Sequence, residues 1–169
     1  MERSQAWYIH ERAEQMAMMV FTRAPGIVVR PAPVQLGIDL IVMSAKIPGR
    51  MFGVELKAST SISTIVAKTN LVRQSVAAPL QKRLSTFPFP VGLMACGMQD
   101  DSAYFGWILA PELRDGASSR ALSTPSPIIV EPATREVIER AVEQVLNWYN
   151  ILGTQQVVSP SLQHPSAIR

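Results

Sequence analysis

The stretch GIDLIVMSAKIPGRMFGVELKAS, residues 37–59, restricts the fold of this chain more than any other segment. Gly37 to Met43 and Met51 to Ser59 are apolar runs of strand length, rich in Ile, Val, Leu and Phe. The segment SAKIPGR between them carries a Pro-Gly turn signal, so the pair reads as a hairpin. Successive side chains on a strand face opposite sides. In the second run Phe52, Val54, Leu56 and Ala58 share one face, while Glu55 and Lys57 share the other. One face is wholly apolar; the other sets a carboxylate beside an ammonium on a short, rigid mount. Asp39 sits near the start of the first run, where hairpin pairing can bring it close to Glu55.

Two carboxylates that meet at a few ångströms repel, and one takes up a proton unless a cation lies between them. Mg²⁺, or Mn²⁺, suits such a pair, because Mg²⁺ takes oxygen ligands, accepts one or two carboxylates and keeps several waters. A cation held this way polarises a phosphate and lowers the pKa of an attacking water. Lys57 would orient or help deprotonate that water, or stabilise charge developing on the phosphate. Read alone, Glu-x-Lys is an ordinary salt bridge, Glu55–Lys57 or Asp39–Lys57, on a solvated face; the joint pattern with Asp39 opening the neighbouring strand points to the site.

The rest of the chain supplies the frame. Residues 2–22 carry Ala6, Ile9, Ala13, Met16, Ala17, Val20 and Phe21 near helical spacing, and Pro25-Gly26 ends the pattern. GIVVRPA, residues 26–32, reads as a short strand before the hairpin. ASTSISTIVAKT, residues 58–69, is a strand extension or a loop, and residues 70–86 read as a helix weakened by Pro79. FPFP breaks it; VGLMACGM is a buried strand, joined through QDDSA to YFGWILA, residues 104–110. Residues 114–127 read as a loop and IIVEP as a last short strand. Residues 134–151 place Val137, Ile138, Ala141, Val142, Val145, Leu146 and Tyr149 on one side of a helix, with Gly153 as its C-terminal cap. The order of helix, strands, helix, strands, helix predicts an α/β (α+β) domain with a mixed sheet flanked by helices. A single domain is expected over 1–153, with a loosely ordered tail over 154–169.

Composition narrows the classes of function. An apolar fraction of 47% and a charged fraction of 17% suit a folded chain. No apolar run approaches the roughly 20 residues that span a bilayer. MERSQAWYIHERAEQ is too polar for a signal peptide, so a cytoplasmic protein without membrane attachment is expected. Cys96 is the single cysteine; with two histidines it makes neither an internal disulfide nor a cysteine-rich zinc site, and it reads as a buried small hydrophobe. Residues 1–83 hold 11 Lys/Arg against 5 Asp/Glu, whereas residues 84–169 hold 5 against 8. A basic half that also carries the odd strands suits a polyanionic substrate. There is no nucleotide-binding glycine loop, His-rich metal motif or nucleophile elbow.

GIDLIV…FGVELKAS resembles the PD-(D/E)XK nuclease superfamily, which includes restriction endonucleases and Holliday-junction resolvases. The Pro that often precedes the Asp is replaced by Ile38, while Glu55-Leu56-Lys57 is an intact second motif. FPFPVGLMACG and YFGWILAPEL look like a less characterised family within that group, and the likeness covers roughly residues 5–113. The resemblance implies a restriction-endonuclease-like core and a Mg²⁺- or Mn²⁺-dependent nuclease, acting on DNA rather than RNA. It implies a metal held by Asp39, Glu55 and the main-chain carbonyl of Leu56, with Lys57 acting on the attacking water. Family members commonly add a Glu on the first helix. Glu11 and Glu14 are available, and Glu14 is preferred by its distance from Gly26, to hold a second metal ion or a water on it. Gln35 is a lesser lining candidate. Lys68, Arg73, Lys82 and Arg83 are candidate phosphate contacts, whereas Tyr104 and Trp107 read as packing groups. Cutting both strands of a duplex needs two sites, which favours a homodimer or a larger complex. The alternative is a catalytically inactive nuclease-like module that binds nucleic acid or a partner protein.

Overall fold

The apolar runs on either side of the Pro-Gly turn pair as two antiparallel strands, β2 (Leu40–Ser44) and β3 (Met51–Ser59), with Leu40 opposite Val54 and Met43 opposite Met51. The structure, a computed structural model, describes residues 2–59, 72–74, 78–114 and 119–155; of residues 2–6, 72–74, 119 and 152–155 it describes the backbone course alone. Most of the Ser/Thr-rich stretch 58–69, including Lys68, and nearly all of the tail lie outside the described residues.

Helix α1 (Glu2–Thr22) leads into β1 (Ile27–Pro31), which pairs with β2. Strand β4 (Val72–Gln74) and helix α2 (Ala78–Leu84) follow β3, then β5 (Val91–Gly97) and β6 (Ala103–Arg114). The chain ends in β7 (Ser119–Ser123), β8 (Ile128–Pro132) and α3 (Arg135–Gln155). Seven strands follow one open path, β1-β2-β3-β5-β6-β8-β4, and β7 pairs with the outer part of β6. The β3–β5 neighbours are parallel and every other pair is antiparallel, so this is a mixed α/β sheet. β5 is buried along its whole length, which is why it reads as a continuous apolar run.

Two cores hold the layers together. On one face α1 and α3 cover Leu40, Val42, Phe52 and Val54, with Ala13, Ala17, Phe21, Ile138 and Ala141 among the contacts. Phe21, Phe52 and Phe105 meet edge-on here, with ring centroids 5.8–6.3 Å apart, and Trp107 packs on Phe52 at 5.5 Å. On the other face α2 presses Leu80 and Leu84 against a cluster that includes Leu93, Ile108 and Val130. Tyr104 is buried in that second core. Cys96 is buried too; its Sγ donates to the Ala13 carbonyl at 3.8 Å, and burial pushes its thiol up to about 12. Among the described residues no helix is long and apolar enough to cross a membrane.

Three local expectations are corrected. The helix expected over 70–86 is the shorter α2, preceded by β4, because Val72–Gln74 finds a sheet edge on β8. The loop expected over 114–127 contains β7, which pairs with Ala110–Arg114 of β6. Helix α3 runs through Gly153 to Gln155, so Gly153 does not cap it.

Candidate active site

Asp39 stands where the β2–β3 hairpin opens. The last paired residues are Leu40 and Val54, and one step further Asp39 faces Glu55 across the mouth. Asp39 therefore lies just outside the strand expected to contain it. Its main chain is turned. The Asp39 N–H donates to the Val54 carbonyl at 2.9 Å, while the Asp39 carbonyl accepts from the Ala32 N–H at 2.8 Å. A regular strand residue directs both groups to one neighbour; here one goes to β3 and the other to Ala32, just past the end of β1. The side chain consequently enters the gap, where Oδ2 accepts from the Leu56 N–H at 2.6 Å in place of a main-chain oxygen.

That bond also fixes the direction of Leu56. The N–H and C=O of one strand residue point to the same side. The Leu56 carbonyl is thus directed toward Asp39, past the end of the β2–β3 ladder. The alternation that buries Val54 on the α1/α3 face turns Glu55 to the opposite face.

Asp39 and Glu55 line one open cleft of about 470 Å³ together with His10 and Glu14 of α1 and Arg83 of α2. Because the hairpin splays at this point, groups from helices on both faces of the sheet reach the same cavity. His10 Nε2 lies 3.6 Å from Asp39 Oδ1. The Arg83 guanidinium donates to the Gly37 carbonyl at 2.7 Å. Gly37 has φ +67°, and a Cβ there would fall 2.7 Å from the guanidinium carbon, so glycine both makes the turn and admits Arg83.

The electrostatics reflect this crowding. The Glu55 carboxyl is pushed up to about 7, by burial first and by the neighbouring Asp39 charge second, with Arg83 opposing the rise. The oxygen donors gathered here, two facing carboxylates and a main-chain carbonyl, with Glu14 on the same cleft, are the chemistry that Mg²⁺ or Mn²⁺ takes. A cation at this mouth would relieve the conflict that raises Glu55. Among the described residues no set of three His, Cys, Asp or Glu side chains is close enough to hold a metal ion.

The remaining candidates fall out unevenly. Lys57 is half-buried on the Glu55 side of β3, about 6.6 Å further along the strand, and is not among the residues lining the cleft. Glu11 is exposed and does not line it, and neither does Gln35. Lys82 is exposed on α2 beside Arg83. Arg73 is not brought to the cleft: it lies on β4, the far edge strand, opposite Ile129 of β8 and four strand spacings or about 19 Å from β3. His10 was not foreseen. The available signal is its i, i+4 relation to Glu14, which places both on one helix face. A larger cavity of about 620 Å³ opens on the other flank of α1, beside Met16, Met19 and Tyr104, where Arg12 pairs with Asp101; it has no facing carboxylate pair.

Comparison of this chain with protein-family profiles, with curated proteins and with solved structures finds no match.

Proposed function

We propose that this chain is a metal-dependent nuclease of the PD-(D/E)XK type that hydrolyses phosphodiester bonds, in DNA rather than RNA, within a restriction, defence or DNA-processing system. The observation that carries the reading is the meeting of Asp39 and Glu55 at the mouth of the hairpin, with Glu55 pushed up to about 7. Two facing, partly buried acids repel, and an oxygen-loving cation resolves that repulsion.

Mg²⁺ or Mn²⁺ held by Asp39, Glu55 and the Leu56 carbonyl, with Glu14 beside them, would supply positive charge to the phosphate oxygens. Arg83, held over Gly37 at the same mouth, suits a non-bridging phosphate oxygen. By the resemblance Lys57 would act on the attacking water; it stands on the Glu55 side of β3, one strand repeat beyond the residues that line the cleft. The water oxygen then bonds to phosphorus in line as the bond to the leaving oxygen breaks; the water's proton passes to solvent, and the leaving oxygen takes a proton from solvent. Cutting a duplex through both strands needs two such clefts, and therefore a homodimer or a larger complex.

A second reading keeps the nucleic acid and drops the cut: a nuclease-like binding module. One observation favours it, the lack of a three-ligand side-chain set among the described residues. Plasmid nicking with Mg²⁺, Mn²⁺ or EDTA separates the two, for wild type and for Asp39→Ala, Glu55→Ala and Lys57→Ala. Nicking that needs the metal and falls by about 10²-fold or more in each variant supports the enzyme. Metal-dependent nicking that survives all three substitutions contradicts it. Binding without cutting, with a steep salt dependence, supports the module.

A further inference from the structure

Helix α1 carries an aromatic group that the fold does not use. Trp7 is 66% exposed, whereas Trp148 is 2% exposed and Trp107 packs against Phe52 and Phe105. Tryptophan is highly buried on average, because its large ring gains most from leaving water. Its position on the helix is specific. Trp7, His10 and Glu14 follow the spacing i, i+3, i+7 and so form one stripe. His10 and Glu14 line the cleft with Asp39 and Glu55, so Trp7 stands at its rim, about 4.5 Å along the helix axis from His10. Tyr8, also exposed, falls on the opposite flank and has no such relation to the cleft.

An exposed indole beside a phosphate-binding cleft is a stacking platform for a base. The bases of a duplex already stack on one another and offer it no free face. Only an unpaired base, in a single strand, a frayed end or a branch, can lie on Trp7 while its own phosphate enters the cleft.

Resting on the nuclease reading, we infer that Trp7 forms a nucleobase-stacking subsite at the rim of the Asp39–Glu55 cleft and that the ligand is single-stranded or unpaired nucleic acid. The contact is to the π-face of the base, so it is tolerant of sequence, and the polarity of strand chemistry is left to the cleft.

The test is binding, with cleavage scored separately. Labelled oligo-dT, oligo-U and a blunt DNA duplex are titrated in Mg²⁺ against full-length Glu55→Gln, which removes one repelling charge and stops hydrolysis. The same titrations are made with Trp7→Ala and Trp7→Phe in that background. Trp7→Ala is expected to weaken single-strand binding about tenfold, within the range for one lost stack. Duplex affinity stays unchanged, and Trp7→Phe recovers single-strand affinity to within about threefold. Oligo-dT and oligo-U separate DNA from RNA as the source of the base. The subsite is overturned if Trp7→Ala leaves single-strand affinity unchanged, if it weakens duplex binding equally, or if neither ligand binds. A Trp7→Ala effect on self-association instead of on nucleic acid also overturns it, and assigns the face to a second copy of the chain. The two readings fail separately. Trp7-dependent binding with no cleavage by wild type removes the nuclease and keeps the subsite. Asp39-dependent cleavage with no Trp7 effect does the reverse.

Discussion

Glu55 is the residue at which the fold and the site disagree. Its backbone belongs to a well-paired strand, yet its carboxyl is raised to about 7 by burial and by Asp39. The raised value has a definite sign. Between the unfolded value near 4.5 and the folded value near 7, the native state holds the extra proton, so stability falls as pH rises through that window. Glu55→Gln is therefore expected to melt higher than wild type at pH 8 and equally at pH 4. After the discount that partial exposure requires, a gain of about 1 kcal/mol corresponds to about 2–4 °C, measured by thermal unfolding. Gly37 makes a second demand. Gly37→Ala places an L side chain at φ +67° and displaces Arg83, so it is expected to cost about 1–2 kcal/mol in denaturant unfolding. At this scale Asp39, Glu55 and Glu14 were legible, because carboxylates in an apolar strand pattern and on a helix stand out. His10 was not, because a lone histidine near a chain end carries no period. The contact of Arg83 with Gly37 was not either, since it joins residues 46 apart in sequence.

Strand β3 shows what an element's pattern does and does not reveal. Its limits, Met51 and Ser59, coincide with those of the apolar run, and its two faces separate as strand alternation requires. The aromatic contacts around Phe52 follow from that alternation. Phe52→Ala leaves a void among Phe21, Phe105 and Trp107, and a loss of about 3–5 kcal/mol is expected in denaturant unfolding. Gly106 is an element-level constraint of another kind. A Cβ there would meet the Ile129 carbonyl oxygen on β8, so Gly106→Ala is expected to lower stability by about 1–3 kcal/mol in the same measurement. β4 and β7 escaped the sequence because each is a short strand made by its partner. Val72–Gln74 has three residues and exists as a strand against β8, and the Ser-rich β7 exists against the far end of β6. Neither has a period of its own to display. Gly153 misled for a related reason: glycine permits a helix end, but α3 continues past it.

The whole molecule sets the cleft where two layers can reach it. α1 and α3 cover one face of the sheet and α2 the other, and the splayed hairpin lets His10 and Arg83 approach from opposite sides. The helix–sheet order and the hairpin were legible as an α/β pattern. The opening between β2 and β3 was not, because it depends on register and on the turned main chain at Asp39. The basic first half of the chain, with Arg83 at the cleft, suits a polyanion and predicts affinity that falls as salt rises. The most direct measurement is the phosphodiester cleavage rate of wild type and Asp39→Ala, each in Mg²⁺, in Mn²⁺ and in EDTA. Cleavage by wild type that requires either metal and drops by about 10²-fold or more on loss of Asp39 is the predicted result. Cleavage that is indifferent to EDTA, or that Asp39→Ala carries out at the wild-type rate, contradicts the assignment.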